Sequence, residues 1–132
     1  WRLDDSLQRF LPQFNEPAIT IKHLLTHTAG LPPWANLFWL GQGKEKVLEQ
    51  IYKNRWPISS ALFPPEQRVI YSDLGFILLG AAIEEVTGIQ LGRLAREWIF
   101  TSLGMKETMF NPPDELRTRI AATEYDPARG GI

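Results

Sequence analysis

Tyr71-Ser72-Asp73 sets a phenol and a carboxylate two residues apart, where the short β-prone run Val69-Ile70 gives way to the apolar stretch Leu74 to Ala82. A free phenol has a pKa near 10, about three units too high to take a proton at neutral pH. Such a group becomes a general base only beside cations that favour the phenolate. A tyrosine at a helix start also serves as a plain structural hydrogen-bonder, and the residues by themselves leave both readings open. His23 and His27 stand i, i+4 apart, the spacing of a zinc-protease helix, but Leu24 replaces the glutamate of H-E-x-x-H and no third ligand is in view. The residues favour two histidines bonded to backbone near a helix end, and no metal. A serine nucleophile is also missing: no G-x-S-x-G occurs, and none of Ser6, Ser59, Ser60, Ser72 or Ser102 has a lysine three residues on. Ser6 has Arg9 there, which stays protonated and cannot act as a base. The paired carboxylates Asp4-Asp5 and Glu84-Glu85 read as solvated helix faces.

The elements that must position these groups are mostly helical. Residues 4–14 predict a short helical turn stopped by Pro12, with Leu7, Phe10 and Leu11 on one side. Thr20 caps a helix with Ile21, Leu24 and Leu25 on its apolar face; Gly30 supplies the left-handed ending and Pro32-Pro33 prevents continuation. Residues 31–43 predict an ordered loop or short turns packed by Trp34, Phe38 and Trp39. Lys44 to Trp56 forms a second helix, with Val47, Leu48, Ile51 and Tyr52 at helical spacing, and Pro57 ends it. Pro64-Pro65 and Glu66-Gln67-Arg68 make a turn. The long helix then runs from about Asp73 to Thr87, capped by Ser72 or Asp73 and stopped by Gly88. Gly75, Gly80, Ala81 and Ala82 keep one of its faces slim enough for close packing. A further helix spans Leu91 to Leu103 and stops at Gly104, Pro112-Pro113 begins a short last one, and residues 121–132 read as irregular. The fold expected is mainly α, with at most a short strand pair near Val69 and the C-terminus.

A chain of 132 residues is one domain with a single core, and its 44% hydrophobic and 22% charged residues are ordinary for a globular protein. A net charge of −1 without a basic cluster gives no reason to expect a nucleic-acid partner. No run of about eighteen apolar residues is present, so no membrane span is expected in this chain, and no signal peptide is seen in it. Without cysteine there is neither a disulfide framework nor a thiolate metal site, and the compartment is not legible. The chain opens on Trp1 inside a polar-apolar pattern and closes on Arg129-Gly130-Gly131-Ile132, which reads as a piece of a larger protein.

Ile19-Thr20-Ile21-Lys22-His23-Leu24-Leu25-Thr26-His27-Thr28-Ala29-Gly30-Leu31-Pro32, followed some forty residues later by Tyr71-Ser72-Asp73-Leu74-Gly75-Phe76, resembles the serine β-lactamase superfamily. The likeness is to its branch of class C β-lactamases, D-alanyl-D-alanine carboxypeptidases and family VIII-type esterases. Ser102 to Phe110 and Ile120 to Tyr125 echo it further. The resemblance implies the helical subdomain of the β-lactamase/transpeptidase-like fold, residues 1–132. It also implies an S-x-x-K motif upstream and a Lys/His-x-Gly motif downstream of this chain.

Carried over by position, Tyr71 is the family's proton-handling tyrosine, Asp73 takes the third place of its Tyr-x-Asn motif, and Trp34 borders the substrate cleft. An ionised carboxylate at Asp73 only accepts hydrogen bonds where an amide also donates. That favours esterase or peptidase activity over β-lactamase activity. Glu66 stands where many relatives have glycine in a Pro-Gly turn. The implied parent is a serine hydrolase that acts through an acyl-enzyme on a small-molecule ester, β-lactam or peptide and needs no cofactor. Relatives of this kind are often periplasmic or extracellular. The chain alone is expected to be inactive and to self-associate. The other reading is a penicillin-binding-protein-like sensor or interaction domain that kept the fold and lost the chemistry.

Overall fold

The computed structural model describes residues 1–33, 35, 37, 43–53 and 64–121. These divide into two compact units, Trp1–Leu91 and Gly92–Ile132. The four α-helices described here are α1 (Ile21–Leu25), α2 (Lys44–Tyr52), α3 (Asp73–Thr87) and α4 (Leu91–Ala95). Strand content among the described residues is a single antiparallel bridge between Ser6 and Thr20. The expected pair at Val69 does not form: Val69 and Ile70 run as irregular chain, and the C-terminal partner lies outside the described residues.

The first unit is built around α3. Its buried face, Leu74, Leu78, Leu79, Ala81 and Ala82, shares one core with Leu7, Leu11, Phe14, Ile21, Leu24 and Ile51. Helices α1 and α2 both pack on it. Gly75 faces α1: a β-carbon there would sit at ordinary contact distance, 3.6 Å from Leu24 Cδ2 and 3.8 Å from the Leu24 carbonyl oxygen. Gly80 lies against Leu91 in the same way. Where the sequence predicts a helical turn over residues 4–14, only a 3-10 turn forms, Leu7–Arg9. Leu7 and Leu11 are buried all the same. The chain from Leu3 to Leu7 is tied to Ile19 and the first turn of α1 by Leu7 N–H to the Ile19 carbonyl (2.9 Å), Ile21 N–H to the Asp5 carbonyl (3.1 Å) and Lys22 N–H to the Leu3 carbonyl (2.8 Å).

Thr20 caps α1 as expected. Its hydroxyl accepts from the His23 amide, while His23 Nδ1 accepts from the Thr20 amide, a capping box with histidine in the usual glutamate role. The helix ends earlier than the sequence suggests. It stops at Leu25 because His27, not Gly30, first turns left-handed (φ 57°), and Gly30 (φ 74°) shapes the loop beyond. Helix α2 is described to Tyr52, with Lys53 at its C-cap, and the rest of the expected span to Trp56 lies outside the described residues. Helix α3 has the expected bounds and ends at a left-handed Gly88 (φ 66°). Glu84 on α3 accepts from the Leu91 amide (2.6 Å) and pairs with Lys44 at the start of α2.

In the second unit the expected helix 91–103 changes character part-way. It is α-helical to Ala95, then widens to a π-turn, Arg96–Phe100, in which Thr101 N–H reaches back five residues to the Arg96 carbonyl (2.9 Å). Gly104 (φ 67°) follows. Gly92 lies close under Phe110, and the segment after Pro112-Pro113 is a 3-10 helix, Asp114–Arg119. Beyond Ala121 the expected irregular tail lies outside the described residues. No single helix among the described residues is long and apolar enough to cross a membrane.

Candidate functional site

Pro32 and Pro33 have no N–H, so at this point the chain offers only acceptors. The start of a helix offers the opposite, amides without intrahelical partners. The two meet at α3: Asp73 N–H donates to the Pro33 carbonyl (2.9 Å) and Ser72 Oγ–H to the Pro32 carbonyl (2.6 Å). Ser72 is 4% exposed, and its hydroxyl is spent on this tie. Neither Ser72 nor Asp73 therefore supplies the side-chain cap the sequence suggests, and the N-cap has none. Asp73 is the acidic residue of the first turn, where a carboxylate suits the helix dipole.

The same seam continues backwards. Ser72 N–H donates to His27 Nδ1 (3.2 Å), Ile70 N–H to the His27 carbonyl (2.8 Å) and Glu66 N–H to the Thr28 carbonyl (2.9 Å). Five hydrogen bonds thus hold residues 66–73 against residues 27–33. Tyr71 lies between Ile70 and Ser72, which make three of them, and is itself 71% exposed. Its ring lies against the imidazole of His27, centroids 4.5 Å apart, and Phe76 stacks with the same imidazole at 5.1 Å. Asp73 lines a neighbouring hollow of about 480 Å³ between α2 and α3, with Lys44, Phe76 and Ile77 on its walls. No side-chain hydrogen bond joins Tyr71 to Asp73 among the described residues. Trp34, the expected cleft-wall residue, lies outside the described residues.

Glu66 anchors the far end of the seam. It adopts a left-handed backbone (φ 70°), the conformation glycine takes most readily, so the local turn has a glycine-like shape without glycine. Its carboxylate meets Lys22 Nζ at 3.1 Å and His23 Nε2 at 3.4 Å. The lysine first, and then the histidine, holds that carboxyl below its ordinary range. Both histidines of the H-x-x-x-H pair are thus bonded to backbone through Nδ1, at opposite ends of one short helix. No group of three or more histidine or acidic side chains suited to a metal occurs among the described residues. Sequence reasoning missed His27 as the tie between the two motifs. Its spacing from His23 suggests a backbone bond near a helix end, which says nothing of a partner 45 residues away.

The helical layout and this seam define a β-lactamase- or penicillin-binding-protein-like helical subdomain. Residues 1–131 match the family described as Beta-lactamase, and the chain belongs to that family. It is 32% identical to a penicillin-binding protein of Bacillus subtilis, over 80% of this chain and 24% of that protein. It is 35% identical to a protein of Escherichia coli named D-alanyl-D-alanine carboxypeptidase, over 93% of this chain and 31% of that protein. The chain therefore spans about a quarter to a third of the length of these relatives. Among solved structures, EstCE1, described as a hydrolase with promiscuous acyltransferase activity, superposes with a TM-score of 0.70 at 28% identity, covering 86% of this chain and 34% of that one. A class C β-lactamase shares the fold alone, at TM-score 0.69 and 16% identity.

Proposed function

We propose that this chain is the helical part of a serine hydrolase that cleaves an ester or amide through an acyl-enzyme. In this reading Tyr71 passes the proton between nucleophile and leaving group, Asp73 orients a neighbouring group by accepting hydrogen bonds, and Trp34 walls the cleft. The observation that carries the reading is the presentation of Tyr71: an exposed phenol whose two chain neighbours are tied to backbone and ring atoms of the His27–Pro33 segment. A reacting group needs this combination of a fixed mount and an open face. The names of two relatives, a D-alanyl-D-alanine carboxypeptidase and a hydrolase with promiscuous acyltransferase activity, support hydrolysis.

The nucleophile is proposed to lie outside these 132 residues, since no serine here has the lysine partner it needs. The test is turnover of a chromogenic ester by the full-length protein. Tyr71→Phe lowers acylation by about 10² or more, the scale of a lost general base, and the 132-residue chain alone serves as a control that turns over nothing. Unchanged turnover in Tyr71→Phe removes the assignment. An intact fold without turnover in the unmodified full-length protein would instead favour a sensor that lost its chemistry.

A further inference from the structure

We propose that His27 is the positioning residue of Tyr71, an inference that rests on reading Tyr71 as the proton-transfer group. Three of its features converge on the same neighbour. The main-chain carbonyl of His27 accepts from the amide of residue 70, and its ring Nδ1 accepts from the amide of residue 72. Tyr71 is therefore gripped on both sides by one residue. The imidazole then fills the space beside the phenol, 4.5 Å from its centroid, with Phe76 as the further layer at 5.1 Å. Finally, His27 holds a left-handed backbone (φ 57°) that a β-carbon disfavours. Strain of this kind persists where the surroundings over-determine it.

The chemistry narrows the residue type. A phenylalanine would stack but could not accept from Ser72 N–H. An asparagine tolerates the left-handed backbone and accepts through its amide oxygen, but brings no ring. A neutral imidazole with its proton on Nε2 does both. Loss of the acceptor frees the Ser72 amide and lets the 70–72 segment turn, which displaces the phenol without removing it. Displacements of about 1 Å at a reacting group cost up to about 10²-fold in rate. The expected signature is a fall in turnover with substrate binding kept.

The experiment measures kcat and KM for a chromogenic ester in the full-length protein and in His27→Gly, His27→Asn, His27→Phe and Tyr71→Phe. His27→Gly, which keeps the backbone freedom and loses acceptor and ring, lowers kcat by about 10-fold or more with KM within about 3-fold. His27→Asn recovers most of that loss and His27→Phe does not. If His27→Gly turns over like the unmodified protein while Tyr71→Phe is impaired, the inference falls and the reading of Tyr71 stands. If Tyr71→Phe is unimpaired, both fall. Equal losses in the glycine and asparagine variants, with KM rising in step, mark a general cleft defect and overturn the positioning role. Should the glycine variant not fold, the asparagine-to-phenylalanine contrast decides alone: asparagine near the unmodified rate with phenylalanine impaired supports the tie, and any other order overturns it.

Discussion

Glu66 shows how much one side chain does at the edge of the seam. Its carboxylate faces Lys22 and His23, and both favour its ionised form. A carboxyl held below its ordinary value of 4.5 contributes stability that is present above that pH and lost as pH falls through the lower folded-state value. Glu66→Gln is therefore expected to lower Tm at neutral pH, and the difference from the unmodified chain should close in acid, below pH 4.5. Thermal melts across that range check it, and a gap that persists undiminished in acid would mean that the charge is not what matters. At this scale the sequence was partly legible. Tyr71 and Asp73 are singled out by a two-motif resemblance, and His27 only as one of two histidines bonded to backbone, as its Nδ1 is, without the partner being named. Its left-handed backbone and acceptor nitrogen depend on a segment 45 residues away, and no local pattern encodes that.

Helix α3 carries the architecture, and here the sequence spoke plainly. A long apolar stretch ending in Gly88 predicts a helix from Asp73 to Thr87, and the helix has those bounds. The close approach of α1 was legible as small residues on one face, although the contacts at Gly75 are less tight than a required glycine would imply. A β-carbon at Gly75 meets Leu24 only at ordinary contact distances, 3.6 to 3.9 Å. Gly75→Ala should therefore stabilise the fold by about 0.5 kcal/mol, the usual gain from restricting the unfolded chain where the folded conformation permits it. Urea unfolding of the two chains measures this, and a clear destabilisation would show that α1 cannot yield at that point. The errors at this scale lay at helix ends. Helix α1 stopped at Leu25 because the chain turned at His27 to reach Ile70 and Ser72, a tertiary demand that overrode the Gly30 signal. The π-turn at Arg96–Phe100 likewise has no composition of its own to announce it.

For the molecule as a whole, the first unit leaves Trp1, Leu3, Leu25, Val69 and Phe76 exposed. Four of these, Trp1, Leu3, Leu25 and Phe76, line one hollow of about 330 Å³ with Ile21 and Leu79. Exposed apolar surface of this kind is relieved by association. The 132-residue chain alone is accordingly expected to form dimers or larger species, and light scattering that shows a clean monomer at high concentration would count against it.

The fastening of residues 66–73 onto residues 27–33 has one more consequence. The chain leaves that seam at Pro33, held to Asp73, and is back on it at Glu66, held to Thr28. The bonds described around Tyr71 are thus made within residues 27–33 and 66–73. Helix α2 lies on the path between them and puts Ile51 into the common core, so only its exposed positions are open to exchange. On the function proposed above, an exchange confined to those exposed positions would leave the aim of the phenol where it was, whereas one that reached Ile51 would not.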